Sequence, residues 1–179
     1  MDLLPFLITK ISHDISGCAG TVLNTSELLM LEQNVDTEIL SLLNQGAKNL
    51  IARLKFFRCI LGLKTEINNG IADNYLKTLS VPFTLEGTVQ TPVDLAVVLL
   101  LSELLIRGGT IRLTPAGATA TGPRIKDISA VQHIFDGTDK TPVEETGFIF
   151  WLRDQWAHQN RQGNLAVSEN VVSLTVLEK

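Results

Sequence analysis

The sequence predicts an α+β fold: an N-terminal antiparallel helical hairpin, paired with a second copy as a dimeric four-helix bundle, followed by a small α/β sandwich. Three observations lead there. Apolar residues recur at alternating steps of three and four through the first third of the chain, the seam of a coiled-coil-like pair. Beyond Gly70, short β-type runs alternate with helical ones and are separated by glycine, proline and asparagine. Finally, mean hydropathy is +0.21 although no apolar run approaches the roughly 18 residues that cross a bilayer, so apolar surface is expected to be covered by another copy.

In the first helix the seam reads Ile8, Ile11, Ile15, Cys18, Val22, Thr25 and Leu29. In the second it reads Leu40, Leu43, Ala47, Leu50, Leu54, Phe57 and Leu61. A turn is expected at Gln33-Asn34-Val35-Asp36, with Asp36 capping the second helix and Gly62 stopping it. Leu28, Leu31, Ile39, Leu42, Ile51 and Ile60 widen the apolar face beyond a two-helix seam, which is why a symmetric dimer is preferred to an isolated hairpin. Residues 1–63 form the dimerisation unit on this reading and 64–179 the α/β unit, with a polar linker from Lys64 to Gly70.

The second unit is expected to run through a helix from Ile71 to Leu79, a strand from Val81 to Gly87 and a helix from Thr91 to Arg107. Thr91, Pro92 and Asp94 supply the start signals of that helix, and Gly108-Gly109 its end. A hairpin about Pro115-Ala116-Gly117 follows, then helices at Asp127–Phe135 and Pro142–Gln159. Two closing strands flank Ser168-Glu169-Asn170.

Hydrophobic residues at 45% and charged ones at 19% fit a folded chain. A net charge of −4 and a pI near 5.3 argue against nucleic acid as a partner, since phosphate backbones call for clustered Lys and Arg. Cys18 and Cys59 lie in expected helices without metal-ligand spacing and are read as reduced thiols. Met1-Asp2-Leu3-Leu4-Pro5 lacks the basic and apolar regions of a secretory signal, so a cytoplasmic protein free of membrane is expected.

His13 is the residue with chemistry. With Ile8 and Ile15 inward it faces out, on one stripe with Lys10, Gly17, Gly20 and Asn24. Each exposed helical glycine costs about 1 kcal/mol relative to alanine, which a purely structural helix would avoid. A bare strip beside an imidazole lets a partner's backbone come close. Asp14 can hold a proton on one ring nitrogen and leave the other as a nucleophile. Phosphoryl transfer needs positioning and charge neutralisation above all, so such a pair suffices when the partner brings the metal. Lys48, Arg53, Lys55 and Arg58 make the second helix basic, with Lys64 just beyond it. Its antiparallel course brings Arg53 to Cys59 alongside His13, with Phe56 and Cys59 offering apolar contact.

Ser12-His13-Asp14, followed by Gly20, Asn24 and Glu27-Leu28-Leu29, resembles the phospho-accepting helix of the ChpT-type histidine phosphotransferases of alphaproteobacteria. These in turn resemble the dimerisation and phosphotransfer domain of sensor histidine kinases, and the order of hairpin then α/β unit carries the resemblance along the whole chain. It implies a homodimer with two degenerate kinase-type ATPase domains, in which His13 takes phosphate from one receiver aspartate and gives it to another. It makes His13 the phosphorylated residue, Asp14 its acidic neighbour, and the receivers of response regulators and of a hybrid kinase the partners. Lys10, Ser16, Gly17, Gly20, Asn24, Arg53 and Phe56 are the expected docking residues. Gly17 is a departure, for related helices often place a small hydroxyl or amide residue there.

No bound cofactor is expected, Mg2+ arriving with the receiver. The helix Val93–Leu105 has no Asn for a metal, and Gly108-Gly109, Gly117, Gly122 and Gly163 read as isolated turn glycines, so no ATP site is expected. Two rivals stand beside this reading. A metal-dependent phosphohydrolase would need ligands that His133 and His158 are not spaced to give. A non-catalytic dimeric adaptor would dock receivers without carrying phosphate. Trp151, Trp156, Phe148 and Phe150 are read as core.

Overall fold

The computed structural model describes residues 3–31, 37–64, 66–143 and 146–178; the turn expected at residues 33–36, with its cap Asp36, lies outside them. Two long helices, α1 (Leu4–Leu31) and α2 (Thr37–Ile60), run side by side. They are followed by α3 (Asn69–Leu76), β1 (Phe83–Glu86), α4 (Pro92–Leu104), β2 (Gly109–Thr114), β3 (Gly117–Thr121), α5 (Ser129–Phe135), α6 (Gly147–His158), β4 (Arg161–Ser168) and β5 (Val171–Glu178). The fold is α+β, as the periodicities predict.

Local signals account for the boundaries. After α2, Gly62 takes φ of 71° while its N–H reaches the Cys59 carbonyl and the Leu63 N–H the Arg58 carbonyl, at 3.0 and 2.9 Å. This glycine-dependent motif satisfies the last orphan carbonyls of the helix. Thr91 and Asp94 close a capping box on α4, each side chain accepting the other's backbone N–H at 3.1 and 2.8 Å.

The five strands lie in the order β1-β2-β3-β5-β4, with β1 and β2 parallel across α4 and the other pairs antiparallel. Burial alternates along the sheet: Ile111, Leu113, Ala118, Ala120, Leu165, Val172 and Leu174 face the helices, while Arg112 and Thr114 face out. Between them α4, α5 and α6 cover that inner face. In α4, Leu95 to Ser102 are all buried, which explains an apolar run without helical periodicity. Gly163 is no turn glycine. It lies within β4 under Trp156, where a Cβ would collide with the indole ring. Trp156, Phe148 and Phe150 are core, and Trp151 stacks on Phe148 with ring centroids 5.9 Å apart.

The lower part of the hairpin shares this core. Leu7 and Ile11 from α1, and Phe56, Phe57, Cys59 and Ile60 from α2, join one apolar cluster with α4. Here the seam departs from the heptad. Ile8 is half exposed and Leu7 is buried instead, because α1 at this level packs on α6, with Phe6 seated against Gly147. Higher up, Leu23, Leu28, Met30 and Leu31 on α1 and Leu40, Leu42, Ile51 and Leu54 on α2 remain exposed in the single chain.

Candidate functional site

His13 sits in the third turn of α1. Its side chain is 87% exposed, whereas that of Asp14 is 11% exposed. One helical step of 100° thus separates a ring in solvent from a carboxylate turned into a cleft. The Asp14 Oδ1 lies 3.6 Å from His13 Nδ1, just beyond a hydrogen bond. Nδ1 therefore faces the acid and Nε2 faces solvent.

Around Asp14 the structure builds a polar cleft between the hairpin, α3 and α4, lined by Lys10, Asp14, Arg53, Tyr75, Ser102 and Glu103 among others. Lys10 Nζ approaches Asp14 Oδ1 at 3.4 Å and Glu103 Oε1 at 2.5 Å. Burial pulls the Lys10 ammonium down, but the carboxylates of Glu103 and then Asp14 outweigh it and hold its pKa above the ordinary lysine value. Arg53 donates from Nε and Nη2 to the hydroxyl and carbonyl of Thr78, and from Nη1 to the Asp14 carbonyl at 3.3 Å. Tyr75 lies buried beneath; desolvation, with help from Asp14 and Glu103, drives its phenol well above the usual range and keeps it neutral.

The expected docking residues divide into three groups. Ser16, Gly17 and Asn24 are exposed, and a Cβ built on Gly17 or on the half-buried Gly20 would meet nothing within 4 Å. That strip is open. Lys10 and Arg53 stand beside His13 as the antiparallel hairpin requires, but their cationic groups are engaged within the chain. Phe56 is a correction. It is fully buried, stacked on Tyr75 with centroids 3.9 Å apart at 11°, and offers nothing to a partner. Cys59 is buried likewise, and its thiol is raised by desolvation. Lys48 and Lys55 turn away from His13 into a cleft of about 360 Å³ shared with Asn74 and Lys77. Glu103, Tyr75 and Thr78 are site residues that local sequence reasoning misses; Glu103, a lone charge near the end of an otherwise apolar turn of α4, is the one visible signal.

His133 and His158 are exposed in the last turns of α5 and α6, and the described residues contain no His, Cys, Asp and Glu group that would hold a metal ion. Among the described residues no helix is long and apolar enough to cross a membrane.

No family profile matches the chain. In sequence it is 34% identical over 119 residues, 62% of its own length, to the protein phosphotransferase ChpT of Brucella abortus (strain 2308). The match spans 56% of that relative, little more than half. In fold it is similar to a solved bacterial phosphotransferase with a TM-score of 0.79 at 20% identity, covering 98% of this chain and 96% of the other. The likeness to a ChpT protein thus lies in sequence over 62% of the chain, and the likeness in fold to a bacterial phosphotransferase extends over nearly all of it.

Proposed function

We propose that the chain is a histidine phosphotransferase of a two-component phosphorelay, accepting a phosphoryl group on His13 from a receiver aspartate and passing it to another response regulator. The observation that carries this reading is the pairing of an 87% exposed imidazole with a sheltered carboxylate on its Nδ1 side. With the proton held on Nδ1 toward Asp14, the Nε2 lone pair attacks phosphorus in line with the aspartyl oxygen. The N–P bond forms as the P–O bond breaks, and the departing receiver aspartate regains its carboxylate. Asp14 offsets the positive charge that the ring acquires. Mg2+ carried by the receiver would neutralise the phosphoryl oxygens, and this chain needs no ion of its own. Return transfer to a second receiver reverses the same step.

The bare surface at Gly17 and Gly20, with Ser16 and Asn24 beside it, supports docking of a receiver against α1. The exposed apolar residues of the upper hairpin support a homodimer: each leucine covered contributes about 1.5–3 kcal/mol, and a second hairpin is the self-complementary way to cover them.

Incubation with a phosphorylated receiver and Mg2+ tests the reading. Wild-type protein is expected to take an acid-labile label that His13→Ala does not. Absence of label from the wild type, together with retained receiver binding, would instead establish the adaptor role.

A further inference from the structure

We propose that Glu103 of α4, acting through Lys10 of α1, is a positioning residue that sets the Asp14 carboxylate against His13, so that the ring carries its proton on Nδ1 and presents a free Nε2 lone pair. This rests on the phosphotransfer reading above and gives the α/β layer a part in it.

The contacts form a chain. Glu103 Oε1 is 2.5 Å from Lys10 Nζ, which is 3.4 Å from Asp14 Oδ1, and this same oxygen is 3.6 Å from His13 Nδ1. Lys10 and Asp14 are one helical turn apart, but an i,i+4 pair on an exposed helix holds loosely, because the lysine stem has four rotatable bonds and water competes. Glu103 approaches from another element and fixes the ammonium from the far side. Asp14 is thereby held twice: its carboxylate by Lys10, and its backbone carbonyl by Arg53.

Charge balance points the same way. The cleft brings two cations, Lys10 and Arg53, to two carboxylates, Asp14 and Glu103, with the neutral Tyr75 phenol beneath and Lys126 on the rim. Without Glu103, Lys10 would have Asp14 as its sole close carboxylate. That single i,i+4 contact leaves the ammonium free to swing on its long stem, and the carboxylate it steadies would no longer be held toward the ring. With Glu103 in place the ammonium is shared, and Asp14 keeps accepting capacity for His13.

A free imidazole favours the Nε2–H tautomer, so the proposal has a direct readout. In 15N-resolved NMR of the histidine rings, wild type is expected to hold His13 as Nδ1–H, whereas Glu103→Gln and Lys10→Met shift it toward Nε2–H with the melting temperature little changed. Lys10→Arg, which can still bridge both carboxylates, is expected to retain Nδ1–H. Phosphorylation of His13 by potassium phosphoramidate, a small donor that loses ammonia and needs no docking, should slow about tenfold in Glu103→Gln. In an Asp14→Asn background the same substitution should have no further effect. An unchanged tautomer and unchanged phosphoramidate rate in Glu103→Gln would overturn the proposal, as would equal slowing in the Asp14→Asn background. Failure of the phosphotransfer reading looks different: His13 would still take label from phosphoramidate but none from a phosphorylated receiver, whatever its tautomer.

Discussion

Arg53 of α2 donates to the backbone carbonyl of Asp14 on α1 while two more of its N–H groups hold Thr78 beyond α3, so one guanidinium ties three segments at the level of His13. Such a fork-shaped set of bonds is beyond an ammonium. Arg53→Lys is expected to lose about 1–3 kcal/mol in urea unfolding, and label transfer to His13 should fall alongside. Stability equal to wild type would show that the three bonds carry no net weight.

At Gly17 two effects should part company. A methyl group there meets open space, so Gly17→Ala is expected to raise stability by about 1 kcal/mol through helix propensity. The same methyl stands where a receiver backbone would approach. Transfer from a phosphorylated receiver should therefore slow, while labelling by a small donor does not. A variant that is both more stable and equally fast with receivers would remove the bare strip from the docking surface.

Phe56→Ala separates core from contact. The ring is fully buried on Tyr75, so its loss is expected to cost about 3–5 kcal/mol in denaturant. Near-wild-type stability with weakened receiver binding would restore the docking role that the sequence suggested.

Alkaline titration should expose the cleft's linkage. Lys10 is raised above its reference of 10.5, so its stabilisation is complete below that value and is lost as pH climbs through the folded pKa. Tyr75 is raised above its reference of 10.0 because its neutral form is favoured when folded; the unfolded chain ionises first, and stability falls progressively above that pH. The melting temperature should thus drop steeply above about pH 10, and Tyr75→Phe should flatten much of the drop. An unaltered slope in that variant would place the linkage elsewhere.

Much of this architecture is legible in the chain. Heptad spacing announces α1 and α2, and the Thr91-Pro92-Asp94 triplet announces the start of α4 to within a residue, because caps and periodicity are local physics, though the helix ends at Leu104, three residues before the expected Arg107. His13 and Asp14 are legible for the same reason, since adjacency on a helix fixes their relative direction. Ile8 and Phe56 mislead because a heptad assumes one partner along the whole helix, whereas the foot of the hairpin packs on α3, α4 and α6. Glu103 escapes since nothing within 90 residues of it in sequence hints that α4 ends beside Lys10; only the closed fold brings them together.

The stack of Phe56 on Tyr75 carries a wider consequence. The hairpin's foot and the α/β layer share one core, so the two are expected to unfold together and the histidine helix not to survive grafting onto another protein in the way a modular signalling domain does. A fragment ending near Leu63 would leave Phe56, Phe57 and Ile60 facing water. A change of partner on the proposed docking strip would then have to be written into the exposed surface of α1 one side chain at a time.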